Sequence, residues 1–120
     1  MPKVMLAEDD ATMLSLLRTL LQMEGFATAT LGVEEDVLES LRRETPDIVL
    51  LDVHLTQGNG LDFLQRIRQD EGLKNIFVIM SSGMALETES IRAGANAFLL
   101  KPYMPDTLIT AIKKGLPKTE

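Results

Sequence analysis

Short apolar runs alternate with amphipathic helical patterns along the chain, and this alternation is the feature that most constrains its fold. The apolar runs predict strands at residues 3–7, 26–30, 47–51, 75–80 and 97–100, and the periodic segments between and after them predict helices at residues 11–24, 33–44, 61–70, 86–93 and 106–114. Strands joined through helices pair in parallel, by right-handed crossovers that put helices on both faces of the sheet. The chain is therefore predicted to be an α/β protein of five βα units.

The composition of the strands predicts their order. The third and fourth runs, DIVLL and IFVIM, are continuously apolar, as central strands are, whereas the second, FATAT, is small and polar and is predicted to lie at an edge. These features favour the flavodoxin-like, doubly wound (βα)5 fold, with a five-stranded parallel sheet of order 2-1-3-4-5. Its ligand site lies at the carboxyl ends of the strands, beside strands one and three.

Residues at the predicted helix ends support these boundaries. Asp10 can cap the first helix and Gly25 can end it, while Pro105 suits the first position of the fifth helix. The fourth helix has only Leu86 and Ile91 as large apolar residues. The glycines of the GNG segment are interpreted as a turn into the third helix.

Length and charge limit the classes of function. We expect one domain over residues 1–120, and two alternatives stay open for its tail, residues 115–120: the end of a stand-alone protein or the start of a linker. A net charge of −6 argues against nucleic acid binding by the domain itself. The absence of cysteine excludes disulfides and zinc–thiolate sites. It also fits a reducing compartment.

No part of the sequence indicates a membrane or a secreted protein. No apolar run approaches the ~20 residues of a membrane span. The opening segment, MPKVMLAEDD, lacks the basic-then-apolar plan of a secretory signal. We therefore expect a cytoplasmic protein that does not bind membranes.

Polar side chains follow the strands that should border the ligand site, whereas no ionisable residue directly follows the predicted edge strand. The polar set consists of Glu8, Asp9, Asp52, Ser81, Ser82 and Lys101, and Pro102 follows the last of them. Because the carboxyl ends of parallel strands share one edge of the sheet, these side chains are predicted to converge. Taken singly, each has a simpler reading, such as an acid at a helix N-terminus or a solvated surface lysine.

The electrostatic repulsion between clustered carboxylates must be offset by a bound proton or cation. Two of them ~5 Å apart repel by about 3 kcal/mol at an effective dielectric near 20, so either a proton or a divalent cation must bind. Oxygen ligands without cysteine favour a hard ion such as Mg²⁺. A metal, a lysine and a hydroxyl around one carboxylate suggest phosphoryl transfer, with Asp52 as the nucleophile.

With these motifs in order, the chain resembles the receiver domain of two-component response regulators over nearly its whole length. The motifs are Glu8-Asp9, Asp52, Ser81, Phe98 and Lys101-Pro102. The resemblance implies that Asp52 accepts a phosphoryl group from a histidine kinase or a His-phosphotransfer protein. It implies Mg²⁺, with Mn²⁺ as a substitute, bound by Asp9, Asp52 and the main-chain oxygen of His54, with Glu8 acting through a water.

The resemblance also implies a conformational switch. Lys101 would pair with a phosphoryl oxygen, and Ser81 would turn its hydroxyl onto the phosphoryl group, with Ser82 and Pro102 in supporting positions. Phe98 would then rotate inward and reshape the surface of the fourth helix, fifth strand and fifth helix. This surface would bind an unidentified downstream partner, or a second copy of the chain. The Lys101–Pro102 bond is expected to be cis.

Three positions depart from the common pattern of that family. Glu8 replaces aspartate, Phe98 replaces tyrosine, and Thr56 stands where proline is common, four residues after Asp52. His54 and Gly83 flank the site where residues tune the lifetime of the phosphoryl group, in a direction that the sequence does not give.

Two other functions share parts of the pattern. A phosphohydrolase of the haloacid dehalogenase type also uses an aspartyl nucleophile, but it needs a second acid two residues later, where this chain has His54. A receiver-like interaction module that works without phosphorylation usually lacks an acid or the lysine, and none is missing here. We therefore expect a signalling phosphoacceptor and not an enzyme beyond its own phosphorylation and slow dephosphorylation.

Overall fold

The computed structural model describes residues 1–32 and 34–116, and its centre is one five-stranded parallel sheet. The strands are β1 (Lys3–Ala7), β2 (Ala27–Thr30), β3 (Ile48–Asp52), β4 (Phe77–Ser82) and β5 (Ala97–Leu100). Their order is β2-β1-β3-β4-β5, and each neighbouring pair is parallel. The predicted order 2-1-3-4-5 is therefore confirmed, with the polar second strand at an edge.

Five helices follow the strands. They are α1 (Ala11–Met23), α2 (Val37–Glu44), α3 (Gly60–Gln69), α4 (Glu87–Arg92) and α5 (Pro105–Lys114). As predicted, Asp10 caps α1 by accepting a hydrogen bond from the main-chain N–H of Met13, and Pro105 begins α5. Within the described residues, no helix is long and apolar enough to cross a membrane.

Helix α2 begins later than predicted. The expected start, residue 33, lies outside the described residues, and the helix begins at Val37. The reason is a cap: the Asp36 carboxylate accepts from the main-chain N–H of Glu39 at 3.0 Å, which satisfies an otherwise unpaired donor of the first turn. The predicted tail also falls mostly outside this description, since residues 117–120 are not included.

Two apolar layers cover the sheet, one on each face. Alternate residues of the strands point to opposite faces, so Met5, Val49 and Met80 join the layer under α2 and α3. Leu6 and Leu50 belong to the other layer, under α1 and α5. Every residue of β3 is buried, which explains why this strand is apolar without alternation until Asp52.

The β3–α3 connection contains a feature that periodicity did not predict. His54–Leu55 and Gly58–Asn59 form a short antiparallel hairpin. The Asn59 side chain then accepts from the main-chain N–H of Leu61 at 2.8 Å and caps α3. The hairpin brings residues 56 and 57 over the carboxyl end of the sheet.

Two strands are longer at their carboxyl ends than predicted. Asp52 is the last residue of β3, and Ser81 and Ser82 are the last residues of β4, where the sequence suggested that all three follow their strands. The cause is continued pairing, because Asp52 is in register with Ser81, and Ser82 with Leu100. The side chains of the site are thereby fixed by the ladder itself.

Gly60 allows the chain to pass close beneath Asp52. A Cβ at this position would overlap the main-chain oxygen of Asp52 and lie 2.9 Å from Cα of Val53. The main-chain N–H of Gly60 also donates to the carbonyl of Val53 at 2.6 Å. The glycine is needed for close approach as well as for the turn into α3.

We expect Gly60→Ala to lower the free energy of unfolding by about 1–3 kcal/mol, because an added methyl group in a filled space forces the backbone to shift. Urea unfolding measures the change. Gly83→Ala is the matched control, since a Cβ there meets nothing within 4 Å, and it should leave stability nearly unchanged. Equal stability of the two variants would contradict the close-approach argument.

Candidate functional site

Three charged side chains meet at the carboxyl ends of β1, β3 and β5. The ammonium of Lys101 lies 2.6 Å from Oε1 of Glu8 and 3.1 Å from Oδ2 of Asp52. Both acids are largely buried, with 3% and 10% of their side chains exposed, and Lys101 retains 23%. The predicted convergence of these three residues is observed.

Burial disfavours the charge on Asp52. It raises the pKa of the Asp52 carboxyl, and the negative charge of Glu8 adds to this, while the hydrogen bond from Lys101 and a main-chain N–H from His54 oppose it without reversing it. The net pKa lies above the ordinary value of 3.8. Asp52 is therefore a carboxylate in a poorly solvated place, and it depends on its cationic neighbour.

Lys101 is held in its charged form. Burial acts to lower the pKa of its ammonium, but the hydrogen bonds to Glu8 and Asp52 outweigh burial, and the net shift is upward. Both pKa values are raised, which favours the charged form of Lys101 and the neutral form of Asp52, because two acids share one ammonium. Lys101 gains two anionic neighbours, whereas Asp52 gains one cation and one like charge.

Asp9, the third acid, is turned to a different partner. Its Oδ2 accepts two hydrogen bonds from Thr56, one from the main-chain N–H at 2.5 Å and one from the hydroxyl at 2.8 Å. Both residues are exposed. The three acids that the sequence predicts to cluster therefore have different partners. Glu8 and Asp52 contact Lys101, whereas Asp9 contacts Thr56.

The donor set fits a hard divalent cation in kind. Carboxylate and carbonyl oxygens are the ligands that Mg²⁺ prefers, and one ammonium leaves the charge of three carboxylates incompletely neutralised. Among the residues that the structure describes, however, no three such side chains are already arranged to hold a metal ion. Thr56 contacts Asp9, and Lys101 contacts both of the other acids.

The remaining predicted residues lie around this centre. Ser81 and Ser82 are buried, and Ser82 accepts from the main-chain N–H of Met84 at 3.0 Å. Phe98 is half-buried on β5 against the layer that includes Met80. The Lys101–Pro102 bond is cis, as expected.

Sequence reasoning missed Tyr103. Its hydroxyl is buried and has no hydrogen-bond partner among the described residues. Burial raises the pKa of this phenol above its ordinary range, and the charges of Glu8 and Asp52 raise it further, so the ring lies within reach of the acidic site. The only available signal was its position, two residues after Lys101.

Comparison with known proteins decides the family. The model of the response regulator receiver domain matches residues 4–113. This chain belongs to that family. A receiver domain is a signalling module of two-component systems and not a classical enzyme, and it implies a cognate histidine kinase.

Relatives of this receiver domain are longer proteins. It is 28% identical over 118 residues to the DNA-binding response regulator MtrA of Mycolicibacterium paratuberculosis, covering 98% of this chain and 52% of that protein. It is 32% identical over 115 residues to the alginate biosynthesis transcriptional regulatory protein AlgB of Pseudomonas putida, covering 95% of this chain and 26% of that protein. The chain thus spans about half the length, or less, of these curated relatives.

Solved structures share the fold. The chemotaxis response regulator CheY4 of Vibrio cholerae superposes with a TM-score of 0.87 at 23% identity, over 97% of this chain and 99% of that one. The BeF3-activated N-terminal receiver domain of Klebsiella pneumoniae RstA gives a TM-score of 0.84 at 23% identity, over 97% and 99%. At these identities the likeness establishes the fold alone.

The raised pKa of Asp52 predicts how the stability of the receiver domain depends on pH. A folded-state pKa above the unfolded value of 3.8 means that the protonated carboxyl stabilises the fold. This stabilisation is fully present below the unfolded pKa and is lost as pH rises through the folded pKa. Asp52→Asn imitates the protonated form and leaves Glu8 to pair with Lys101. It should therefore raise the free energy of unfolding at about pH 8.

Urea unfolding of wild type and Asp52→Asn at several pH values tests this, with Asp62→Asn on α3 as a control outside the site. The gain should shrink toward about pH 4 and be specific to Asp52. A gain that grows as the solution becomes more acidic would show that burial does not dominate at Asp52.

Removal of the Lys101 ammonium, which Glu8 and Asp52 share, should destabilise the fold. We expect Lys101→Met to lower the free energy of unfolding near pH 7 by about 2–3 kcal/mol, less than the ~3–5 kcal/mol of a fully buried pair, because Lys101 is partly exposed. Thermal or urea unfolding measures the loss. In Lys113→Met, which removes an exposed ammonium 3.8 Å from Glu24, stability should barely change. Similar losses in both variants would argue against special stabilisation at the site.

Proposed function

We propose that this receiver domain accepts a phosphoryl group on Asp52, from the phosphohistidine of a histidine kinase or a His-phosphotransfer protein. The observation that carries the proposal is the contact of a buried Asp52 with the Lys101 ammonium at the carboxyl edge of the sheet. A desolvated carboxylate beside a fixed cation is suited to attack phosphorus, since positioning and charge neutralisation dominate phosphoryl transfer.

In the reaction, an Asp52 carboxylate oxygen forms a bond to phosphorus while the bond from phosphorus to the imidazole nitrogen of the donor breaks. The electron pair of the broken bond returns to that imidazole. Asp52 must be ionised to attack, and the hydrogen bond from Lys101 favours ionisation against the effect of burial. Lys101 stays protonated, because its own pKa is raised, and it can pair with a phosphoryl oxygen.

A divalent cation belongs to this proposal. Asp9, Asp52 and the main-chain oxygen of His54 would hold Mg²⁺, or Mn²⁺ in its place, with Glu8 acting through a water. When bound, the ion would neutralise the charge of the phosphoryl oxygens. Glu8 already contacts Lys101 in the described structure, which is consistent with an indirect role at the metal.

The switch proposed for the family would act through Ser81 and Phe98, with Ser82 and Pro102 in support. Ser81 is in register with Asp52 on the neighbouring strand, close to where a phosphoryl group would be attached. Phe98 lines a groove between α4 and α5 together with Ile91, so rotation of its ring would alter that groove. Half-exposed Ile91 and Leu100 would contribute to a surface for a downstream partner or a second copy.

The wider role is also a proposal. The names of MtrA and AlgB describe DNA-binding and transcriptional regulation. We propose that this chain is one cytoplasmic receiver domain over residues 1–120, whose output is either a further domain, as in such relatives, or a protein bound by the α4–β5–α5 surface. The domain itself, with a net charge of −6, is not expected to bind nucleic acid.

Incubation of the domain with Mg²⁺ and a small acyl phosphate donor should add the mass of one phosphoryl group, at Asp52. This residue is one of two buried carboxylates beside Lys101, and it is the one to which the family resemblance assigns the phosphoryl group. Intact-mass analysis detects the adduct. Asp52→Asn should remain unmodified, whereas Asp62→Asn, which changes an acid on α3, should be modified like wild type.

An unmodified wild type, or an identical adduct on Asp52→Asn, would refute the phosphoacceptor assignment. Unimpaired partner binding by Asp52→Asn would instead favour an interaction module that works without phosphorylation. Steady turnover of many phosphate esters would favour a phosphohydrolase.

A further inference from the structure

Thr56 controls the orientation of Asp9. Its main-chain N–H and its hydroxyl both donate to the same carboxylate oxygen, Oδ2, at 2.5 and 2.8 Å. The two residues are 47 positions apart in sequence, and the β3–α3 hairpin brings them together. Hydrogen bonds to a carboxylate are stronger than those between neutral groups, so this contact fixes the side chain of Asp9 even at the surface.

The neighbouring residue anchors the same loop on its other side. The Gln57 side-chain amide donates to the main-chain oxygens of Gly32 and Glu35, at 2.6 and 3.2 Å. The loop is therefore tied to the ends of both β1 and β2. These hydrogen bonds of Gln57 restrain the adjacent residue Thr56, and so they stabilise its contact with Asp9.

The contact with Thr56 and the binding of a metal ion require different orientations of the Asp9 carboxylate. Both Thr56 donors lie on Oδ2, which leaves Oδ1 as the free oxygen of Asp9 among the described residues. A carboxylate held toward Thr56 by two hydrogen bonds must break or lengthen them to turn toward Asp52 and share a cation with it. In the described part of the chain, no three ligating side chains are arranged for a metal, which is consistent with Asp9 being held by Thr56. A proline at residue 56, common in the family that the sequence resembles, would offer neither donor.

We propose that Thr56 is a positioning residue that competes with the divalent cation for Asp9, and so weakens metal binding by this receiver domain. The inference rests on the proposed function, since it concerns the cation of the same site. If a cation were held by Asp9, the carboxylate would give up the Thr56 donors, and the Thr56 hydroxyl and N–H would be left to solvent.

The test compares Mg²⁺ affinity in wild type, Thr56→Val and Thr56→Ser by isothermal titration calorimetry at about pH 8. Valine keeps the shape and the N–H but removes the hydroxyl, so Thr56→Val should bind Mg²⁺ about two- to tenfold more tightly, the range expected for loss of one hydrogen bond. Thr56→Ser retains the hydroxyl and should match wild type. Equal or weaker binding by Thr56→Val would overturn the proposal.

A second measurement needs no variant. In the ¹H–¹⁵N spectrum of the wild type, the amide proton of Thr56 should be shifted downfield in the absence of metal, by its short bond to Asp9, and should move upfield when Mg²⁺ saturates the site. An unmoved Thr56 amide in the saturated domain would overturn the proposal, even if Thr56→Val failed to fold.

The result is separable from that of the phosphoacceptor assay. Neither measurement uses a phosphodonor, so tighter Mg²⁺ binding by Thr56→Val supports the role of Thr56 whether or not Asp52 is modified. Failure of both wild type and Thr56→Val to bind Mg²⁺ would overturn it. An adduct on Asp52 with unchanged affinity in Thr56→Val would leave the phosphoacceptor function standing and remove the role of Thr56.

Discussion

A single ammonium group, that of Lys101, compensates the negative charge of two buried carboxylates at the carboxyl edge of the sheet. It lies within hydrogen-bond distance of Glu8 and Asp52, two largely buried acids that would otherwise face each other with little water. Taking carboxylates out of water is expensive unless a cation and hydrogen bonds compensate. The parallel strands deliver the three residues from positions 8, 52 and 101, so the fold and the electrostatics of the site depend on each other.

The sheet could be read from the sequence because its strands differ in polarity for physical reasons. Ile48–Asp52 is buried on both faces, whereas Ala27–Thr30 lies at an edge. The ends of β1, β3 and β5 carry the charged residues that converge. The hairpin between β3 and α3 could not be read, because its stability comes from main-chain pairing across four residues and not from a periodic pattern. The contact of Thr56 with Asp9 depends on this hairpin, so the sequence does not predict it, although threonine at position 56 is itself unusual for the family.

The observed ends of some helices and strands differ from those predicted from the sequence, because local hydrogen bonds decide them and not the hydrophobic periodicity. Asp36 caps α2 and begins it at Val37, and the ladder between β3 and β4 extends through Asp52 and Ser81. The sequence predicts a turn at Gly60, whereas its close approach to the Asp52 carbonyl depends on which backbone segment lies beside it in the fold. Such close approaches are properties of the assembled molecule.

The position of Tyr103 gives this domain a built-in optical probe. The chain has one tyrosine and no tryptophan, so its intrinsic emission excited beyond the phenylalanine band arises from a single phenol. That phenol is enclosed, and the charges of Glu8 and Asp52 act on it. We therefore expect the emission of this one fluorophore to respond to a change of charge on Glu8 or Asp52, without a dye or an engineered label.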